Sequence, residues 1–425
     1  MSDNSPTADA PFDIDHSDHG HSAAFNAPQP PLEPVHNVVI LSPQFPDWVT
    51  KFVLALAKHP NVNVLGIGDD AYGALSEELR GALKEYFWVD NMADYHNIES
   101  AMNHFQYKWG KIDRFESLNE HWLELEARIR EEFDIPGPRS DFIEDIRRKS
   151  VMKDYFKKAG VATIQGILAH TLDEALEFAN RVGYPVIVKP DSGSGASSTY
   201  RAEDEPALRA IFATRPLGAA PVVVEEFIDG ILLTYDGLVD ANGNIVFDNS
   251  TRTELSIMDV VNTGGNANYI DLPDVPAEVR KVGQAIVKAY DLRERFFHIE
   301  IFERRKGGGL VGLEINLRPP GGWMTDAMNV SHSDDVYAIW AALLTGTQPP
   351  TPGPNRYYSV YASRKNFNKY AHTHSQVMDY LGENLVIFKH IEKILQAAMG
   401  DTAYLARAKS YDEAMEMIDY VQKRA

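Results

Sequence analysis

The chain has 425 residues, is 44% hydrophobic, and carries a formal net charge of −20 from 41 basic and 61 acidic residues. That length is enough for roughly two or three domains with real cores, and the acidic balance argues against nucleic acid or an anionic membrane surface as partner. Cysteine is absent, which excludes disulfides, thiolate catalysis, thiol-ligated zinc and iron–sulfur clusters.

No apolar run approaches the ~18 residues of a membrane span. The N-terminus lacks the basic and apolar regions of a signal peptide, so the expected location is cytoplasmic. Residues 1–35 are rich in Asp, His, Ser, Ala and Pro and read as a disordered tail. His16, His19 and His21 lie within it, and a solvated tail is the reading favoured over a metal site.

Order begins at the buried-strand run VVILSP (Val38–Pro43). A helix is expected from Trp48 to Lys58, a strand over Asn61–Gly68, helical pattern over Leu75–Tyr86, and a short strand over Phe87–Asp90. Strands alternating with helices imply a parallel sheet with crossovers. Ligands of such sheets sit at the carboxyl ends of the strands, which here carry Ser42–Phe45 and the Asp69–Asp70 pair; plain loop polarity explains them equally well.

The Pro/Gly-rich Ile135–Ser140 marks a boundary, after which one long helix is expected from Asp141 to Lys158, ending at Gly160. On that helix Lys149 is a candidate cation, while Arg147, Arg148 and Lys153 read as a solvated face. A second α/β stretch includes the strand Tyr184–Pro190, which breaks into the small-residue loop DSGSGASST (Asp191–Thr199). Such a loop can fold backbone N–H groups over phosphates. It is not the GxxxxGK[ST] of a P-loop, and the HRD and DFG motifs of protein kinases are missing. Lys189, at the end of an apolar strand just before the loop, must either reach solvent or find an anion.

The strand PVVVEEFI (Pro221–Ile228) ends on two acids, a connection that could offer main chain to a base edge with Phe227 or Ile228 against the ring; an ordinary strand end is the alternative. Strands continue through LLTYDGLVD and NIVFDN, joined by the hairpin turn Ala241–Asn244. The long polar segment Ser250–Asn268 has the look of a lid or binding loop. A strand over Arg356–Ala362 and a helix around Ser410–Val421 close the chain.

The most informative stretch is Phe296–Gly322, two apolar runs around a charged, triple-glycine turn. Strand side chains alternate between faces. In the second run Glu314, Asn316 and Arg318 share one face, with Leu313, Ile315 and Leu317 on the other; in the first, His298, Glu300 and Phe302 share a face. A hairpin symmetric about Gly307 puts Glu300 across from Glu314, about 4.5–5.5 Å apart at Cβ. Two carboxylates at that spacing call for a cation between them. Mg²⁺ takes one or two carboxylates plus substrate phosphates, Asn316 adds a neutral oxygen, and Arg318 adds a fixed cation for phosphate or carboxylate. The reading is a metal–nucleotide site; the alternative is an edge hairpin with solvated charges.

Taken in order, Lys149 with Met152-Lys153, YPVIVKP ending at Lys189, the glycine loop, VVVEEFIDG, HIEIF and EINLRPPGG resemble the ATP-grasp superfamily. The resemblance covers residues 36–425 and is sharpest from 145 to 325; within the superfamily it is greatest to the carboxylate–amine ligases, including L-amino-acid ligases. It implies an α/β chain with α+β elements in an ATP-grasp architecture. The expected parts are an N-terminal parallel α/β domain (36–138), a small central lid with its lead-in helix (139–228) and a C-terminal antiparallel-sheet domain with an extension (229–425).

The resemblance further implies that Lys149 and Lys189 bind the phosphates of ATP and that Ser192, Gly193, Ser194, Gly195, Ala196 and Ser197 form the flexible loop over them. Glu225, Glu226, Phe227 and Ile228 would hold the adenine, partly through main chain. Glu300, Glu314 and Asn316 would coordinate one or two Mg²⁺ ions, with Mn²⁺ as an alternative, and Arg318, with Lys189, would serve the transferred phosphate. The segment Asn262–Asn266 would close over the acceptor. Many relatives carry a ribose-binding carboxylate where this chain has Leu232, and RPPGG has a doubled proline where one is commoner, so the ribose contacts and the acceptor pocket depart from the pattern.

The implied activity joins a small-molecule carboxylate to an amine through an acyl phosphate, releasing ADP and phosphate. Biotin-carboxylase-like carboxylation and a non-catalytic ATP-binding regulator are the alternatives. No nucleic acid or membrane partner is expected, and a homodimer is the assembly suggested by relatives. No general base can be named, and His298, beside Glu300, is a candidate for a bonding or packing role as much as a direct one.

Overall fold

Strands β1 (His36–Leu41), β2 (Val62–Gly68), β3 (Glu85–Trp88) and β4 (Arg114–Glu116) form a parallel sheet in the order β3-β2-β1-β4. This is a computed structural model, and it describes residues 36–193, 199–215, 219–253, 260, 264–351 and 353–425. The tail, Ser194–Ser197 of the glycine loop and residues 254–259 and 261–263 of the expected lid segment therefore lie outside the described residues.

Helices α1 (Asp47–Leu56), α2 (Glu77–Ala82) and α3 (Tyr95–Trp109) fill the crossovers. The helical pattern expected up to Tyr86 stops at Ala82. Leu83 turns extended and the Lys84 N–H donates to Val64 O at 2.7 Å, so the edge of the sheet claims the backbone before the helix can continue. The third strand accordingly runs from Glu85 to Trp88 rather than from Phe87.

Helix α4 (Leu123–Glu132) leads to α5 (Ser140–Arg147) and α6 (Lys149–Lys158). The single helix expected over 141–158 is thus two, parted at Arg148, whose backbone is extended. Next comes a four-stranded antiparallel sheet of β5 (Gly166–Ala169), β6 (Val186–Pro190), β7 (Tyr200–Ala202) and β8 (Val222–Glu226), ordered β5-β8-β6-β7. Helices α7 (Leu172–Val182) and α8 (Glu205–Ala213) cover it; Thr171 and Glu174 form a capping box at the start of α7. The apolar sides of Phe178, Val188, Leu208 and Val224 make its core.

The remaining strands, β9 (Gly230–Val239), β10 (Ile245–Asn249), β11 (Thr251–Thr253), β12 (Asn268–Asp271), β13 (Arg295–Arg304), β14 (Leu310–Asn316), β15 (Tyr358–Arg364), β16 (Leu385–His390) and β17 (Thr402–Ala408), build one nine-stranded sheet. Its order is β14-β13-β9-β11-β12-β15-β17-β16, with β10 paired to β9 as the Ala241–Asn244 turn suggested. The expected loop over 250–268 begins as the strand β11, wedged between β9 and β12. The helix Ala277–Ala289 packs its Val279 and Ile286 on Tyr235, Phe297 and Ile299 of one face. The approach is close at Gly283, where a Cβ would fall 1.9 Å from the Tyr235 ring. The parallel sheet docks through α1: the Phe52 ring meets Phe296, Tyr337 and Trp340 edge-on, at 5.5, 4.7 and 5.2 Å between centroids.

Candidate active site

The ribbon β13–β14 pairs Glu300 with Glu314 and His298 with Asn316, the register expected for a turn centred on Gly307. A bulge just beyond Glu300 pairs Ile301 with Gly312 and leaves Leu313 over. That extra residue moves Leu313 off the face of Ile315 and Leu317, where alternation had put it. It packs instead with Ile164, Ile228, Phe302 and Val311, an apolar patch beside the end of β8.

On the other side of β13, His298 and Glu300 pair with Asp236 and Thr234 of β9. Asp236, fully buried, accepts from His298 Nδ1 at 2.5 Å, and His298 Nε2 lies 3.5 Å from Glu300 Oε1. Burial alone would lower the His298 pKa; the Asp236 carboxylate outweighs it and pushes the ring up to about 9. His298 is therefore a cation that ties down Glu300 and not a free base at neutral pH. Glu300 in turn is held below the usual carboxylate range, because its bond and charge contact with His298 outweigh burial. Glu314 is pushed above that range by burial and by Glu300. One carboxylate of the pair is thus neutralised from behind and the other is short of positive charge.

Lysines arrive from two directions. Lys189 donates to Glu225 at 2.8 Å, and its ammonium also feels Glu314 and Glu300; against a burial effect that would lower it, these carboxylates hold it fully charged. Lys149 donates to Gly193 O at 2.8 Å and lies 3.9 Å from Glu314 Oε2. Gly193 (φ +122°) is in the region that favours glycine, so the loop turns there over Lys149. Ser192 precedes it, and Ser194, Gly195, Ala196 and Ser197 are outside the described residues.

The break between α5 and α6 makes this meeting possible. Asp191 reaches back to cap α6: its carboxylate accepts from the Ser150 N–H and hydroxyl at 2.8 and 2.9 Å, and its carbonyl accepts from the Lys149 N–H at 2.8 Å. Lys153, expected on a solvated face, is instead 8% exposed and donates to Glu225 at 2.5 Å. Burial would raise the Glu225 pKa, but Lys189 and Lys153 together bring it to about 2. Both oxygens of the Glu225 carboxylate are thus held by lysines, which leaves its side chain no oxygen for the contact with adenine that was expected of it. Glu226 accepts from the Gln165 N–H at 3.0 Å and from Arg304, Phe227 carries the Arg201 guanidinium 4.0 Å from its ring centre, and Ile228 joins the apolar patch.

Arg318 stands at the end of β14. Its Nε donates to Glu120 at 3.3 Å and its Nη1 to the Pro319 carbonyl at 3.0 Å. Glu120, from the loop after β4, was not singled out by the sequence reading, which weighed the carboxyl ends of β1 and β2. The same strand-end rule applied to β4 points to it. Gln44 and Asp69, from the ends that were weighed, meet each other at 3.5 Å.

Among the described residues no group of three or more His, Asp or Glu side chains is arranged to hold a metal ion. Two facing carboxylates and an amide oxygen are a short donor set. It fits Mg²⁺, which keeps several waters and takes its other ligands from substrate phosphates, and the mutual repulsion of Glu300 and Glu314 gives the reason a cation would settle there. Among the described residues no helix is long and apolar enough to cross a membrane.

A family model described as carbamoyl-phosphate synthase L chain, ATP binding domain, matches residues 148–260. The L-arginine-specific L-amino acid ligase of Bacillus subtilis is 22% identical over 67% of this chain and 69% of its own. Matches to a carbamoyl phosphate synthase large chain and to a biotin carboxylase span only 10% and 23% of those proteins. Among solved structures, the L-amino acid ligase of Bacillus licheniformis superposes with a TM-score of 0.66 at 15% identity, covering 92% of this chain and 97% of that one. The N5-carboxyaminoimidazole synthetase of Staphylococcus aureus complexed with ADP gives 0.67 at 15% identity, covering 91% and 96%. The three sheets and these superpositions give the chain an ATP-grasp fold, with residues 148–260 matching an ATP-binding domain.

Proposed function

We propose that the protein joins a small-molecule carboxylate to an amine, forming an amide or peptide bond through an acyl phosphate at the expense of ATP. The observation that carries the reading is the pair Glu300 and Glu314, facing one another on the ribbon with Lys149 3.9 Å from one of them and Lys189 in the field of both. A carboxylate is a poor acyl donor because its leaving group would be oxide; phosphorylation turns that oxygen into part of a phosphate. Transfer of the γ-phosphoryl group is governed by positioning and charge stabilisation.

In this reading Lys149 and Lys189 bind the phosphate tail, the loop from Ser192 covers it, and main chain at 225–228 meets the adenine beside Ile228 and Leu313. Glu300, Glu314 and the Asn316 amide oxygen would hold Mg²⁺. When bound, the ion would supply Lewis-acid stabilisation of the phosphoryl oxygens. Arg318 spends Nε and Nη1 on Glu120 and Pro319 and, among the described residues, keeps Nη2 to present to the transferred phosphate. His298 keeps Glu300 ionised and fixed in place. In the second step the amine attacks the acyl carbon, the C–N bond forms as the C–O bond to phosphate breaks, and the amine proton leaves. Exclusion of water protects the acyl phosphate meanwhile.

The test is ADP release with pooled carboxylic acids and amines, L-amino acids first, followed by mass spectrometry of the product. A condensed product with equimolar ADP is expected. ADP release that depends on bicarbonate alone would replace this reading by carboxylation, and ATP binding with no turnover in any mixture would replace it by a regulatory role.

A further inference from the structure

After β4 the chain passes Ser117, the left-handed Leu118 (φ +56°) and Asn119 before reaching Glu120, which is 7% exposed. The segment is anchored by a buried ion cluster. Arg295, at the start of β13, donates to Glu116 and, at 2.7 Å, to Glu126; Arg130 donates to both acids as well, and the Ser117 hydroxyl to Glu126 at 2.6 Å. Two guanidinium groups and two carboxylates cancel, so the loop is fixed to the same strand that carries Glu300.

Held in this way, the Glu120 carboxylate faces two ribbon side chains. Arg318 Nε donates to Oε2. Turned with its nitrogen toward Glu120, the Asn316 amide donates to the two oxygens at 3.2 and 3.1 Å; the opposite orientation sets its oxygen against that carboxylate. The other orientation donates from the amide nitrogen to Glu314 Oε1 at 3.5 Å; with the nitrogen on Glu120 the amide oxygen takes that place, where a cation between it and the Glu314 carboxylate would be held. An amide has one donor end and one acceptor end, so whatever accepts from the nitrogen decides where the oxygen points.

We propose that Glu120 is a positioning residue for the metal–nucleotide site: by accepting from the Asn316 nitrogen it aims the amide oxygen at the place between Glu300 and Glu314, and by accepting from Arg318 Nε it fixes that guanidinium. This rests on the metal reading above and adds to it that the N-terminal sheet completes the phosphate end of the site. Partners behind a ligand typically change metal affinity 10–100-fold when removed.

The experiment titrates Mn²⁺ into the full-length protein–ADP complex by electron paramagnetic resonance and measures ADP binding without metal by calorimetry. Glu120→Ala is expected to weaken Mn²⁺ binding at least ~10-fold, with metal-free ADP affinity close to the parent. Glu120→Gln, which keeps an acceptor for the amide nitrogen and nearly the same shape, is expected to restore most of the Mn²⁺ affinity and also serves if the alanine variant does not fold. In an Asn316→Asp background, where the ligand has no donor end to misdirect, Glu120→Ala should lose its effect on Mn²⁺. Parent-like Mn²⁺ affinity in a folded Glu120→Ala protein overturns the proposal, as does an undiminished effect in the Asn316→Asp background. Glu314→Ala separates the two ideas: if it leaves Mn²⁺ affinity unchanged, the metal reading itself falls and the proposal with it; if it abolishes binding while Glu120→Ala does not weaken it, only the proposal falls.

Discussion

Ser150 donates both its backbone N–H and its hydroxyl to the carboxylate of Asp191, 41 residues further on, at 2.8 and 2.9 Å. The first residue of the glycine loop is thus the cap of α6, and the helix start that carries Lys149 cannot move without the loop. Asp191→Ala should cost about 1 kcal/mol of stability, as loss of a cap does, and should weaken ATP binding although Asp191 is acidic and its removal lessens repulsion of phosphate. Tighter ATP binding by this variant in calorimetry would show that the cap does not organise the loop.

Glu314→Ala is expected to abolish ATP turnover while leaving a folded protein, because the lost group is a proposed ligand and not part of the apolar core. Parent-like ADP production by a variant with unchanged circular dichroism would defeat the metal assignment.

Lys189→Ala should lower kcat/KM for ATP by roughly 10²–10³, the range for removing one group aimed at transition-state charge. Lys189 also shares Glu225 with Lys153, so some stability is lost with it. Lys153→Met separates the two effects. It leaves Glu225 with one cation and should destabilise by about 3 kcal/mol, as breaking a buried pair does, with a much smaller change in kcat. If Lys153→Met and Lys189→Ala alter kcat alike, Lys189 has no role of its own at the phosphates.

His332 supplies a pH dependence of stability. Its Nε2 meets Asn249 Oδ1 at 2.8 Å, and burial, then Arg356, lower its pKa from the usual histidine range to about 4. A histidine whose folded pKa lies below its unfolded value is neutral in the fold while the unfolded chain takes up a proton. Its stabilisation is complete above about pH 6.5 and is lost as pH falls toward 4, on the order of 3 kcal/mol over that window. Urea melts from pH 7 to 4 should show a smaller loss for His332→Gln than for the parent; an equal loss would assign the acid sensitivity elsewhere.

Arg295→Met should destabilise by about 3–5 kcal/mol, since it leaves the two carboxylates of Glu116 and Glu126 to share the cation of Arg130 in the buried cluster. A melting temperature within a degree of the parent would mean that the cluster does not fasten β4 to β13.

Much of this protein is local in origin and legible from the chain alone. Period-two alternation about a turn centred on Gly307 puts Glu300 opposite Glu314; the pairs nearest the turn, Ile301–Gly312 to Glu303–Leu310, run one residue out of that register, and the bulge beyond Glu300 restores it. Apolar runs between helical stretches announce the parallel sheet, and the order of Lys149, Lys189, the glycine loop and EINLRPPGG announces the ATP-grasp fold. What stayed hidden depends on partners far along the chain. One helix became two at Arg148 because Asp191 offers a better cap than the helix offers a continuation. Lys153 left solvent because Glu225, 72 residues away, needs two cations to be buried. Leu313 changed faces through a bulge that alternation cannot foresee, and Glu120 reached the site only because buried Arg295 draws the loop after β4 onto β13. Short-range pattern fixes which residues face one another within an element; the charge balance of groups removed from water, satisfied only after the sheets have met, decides which of them share a site.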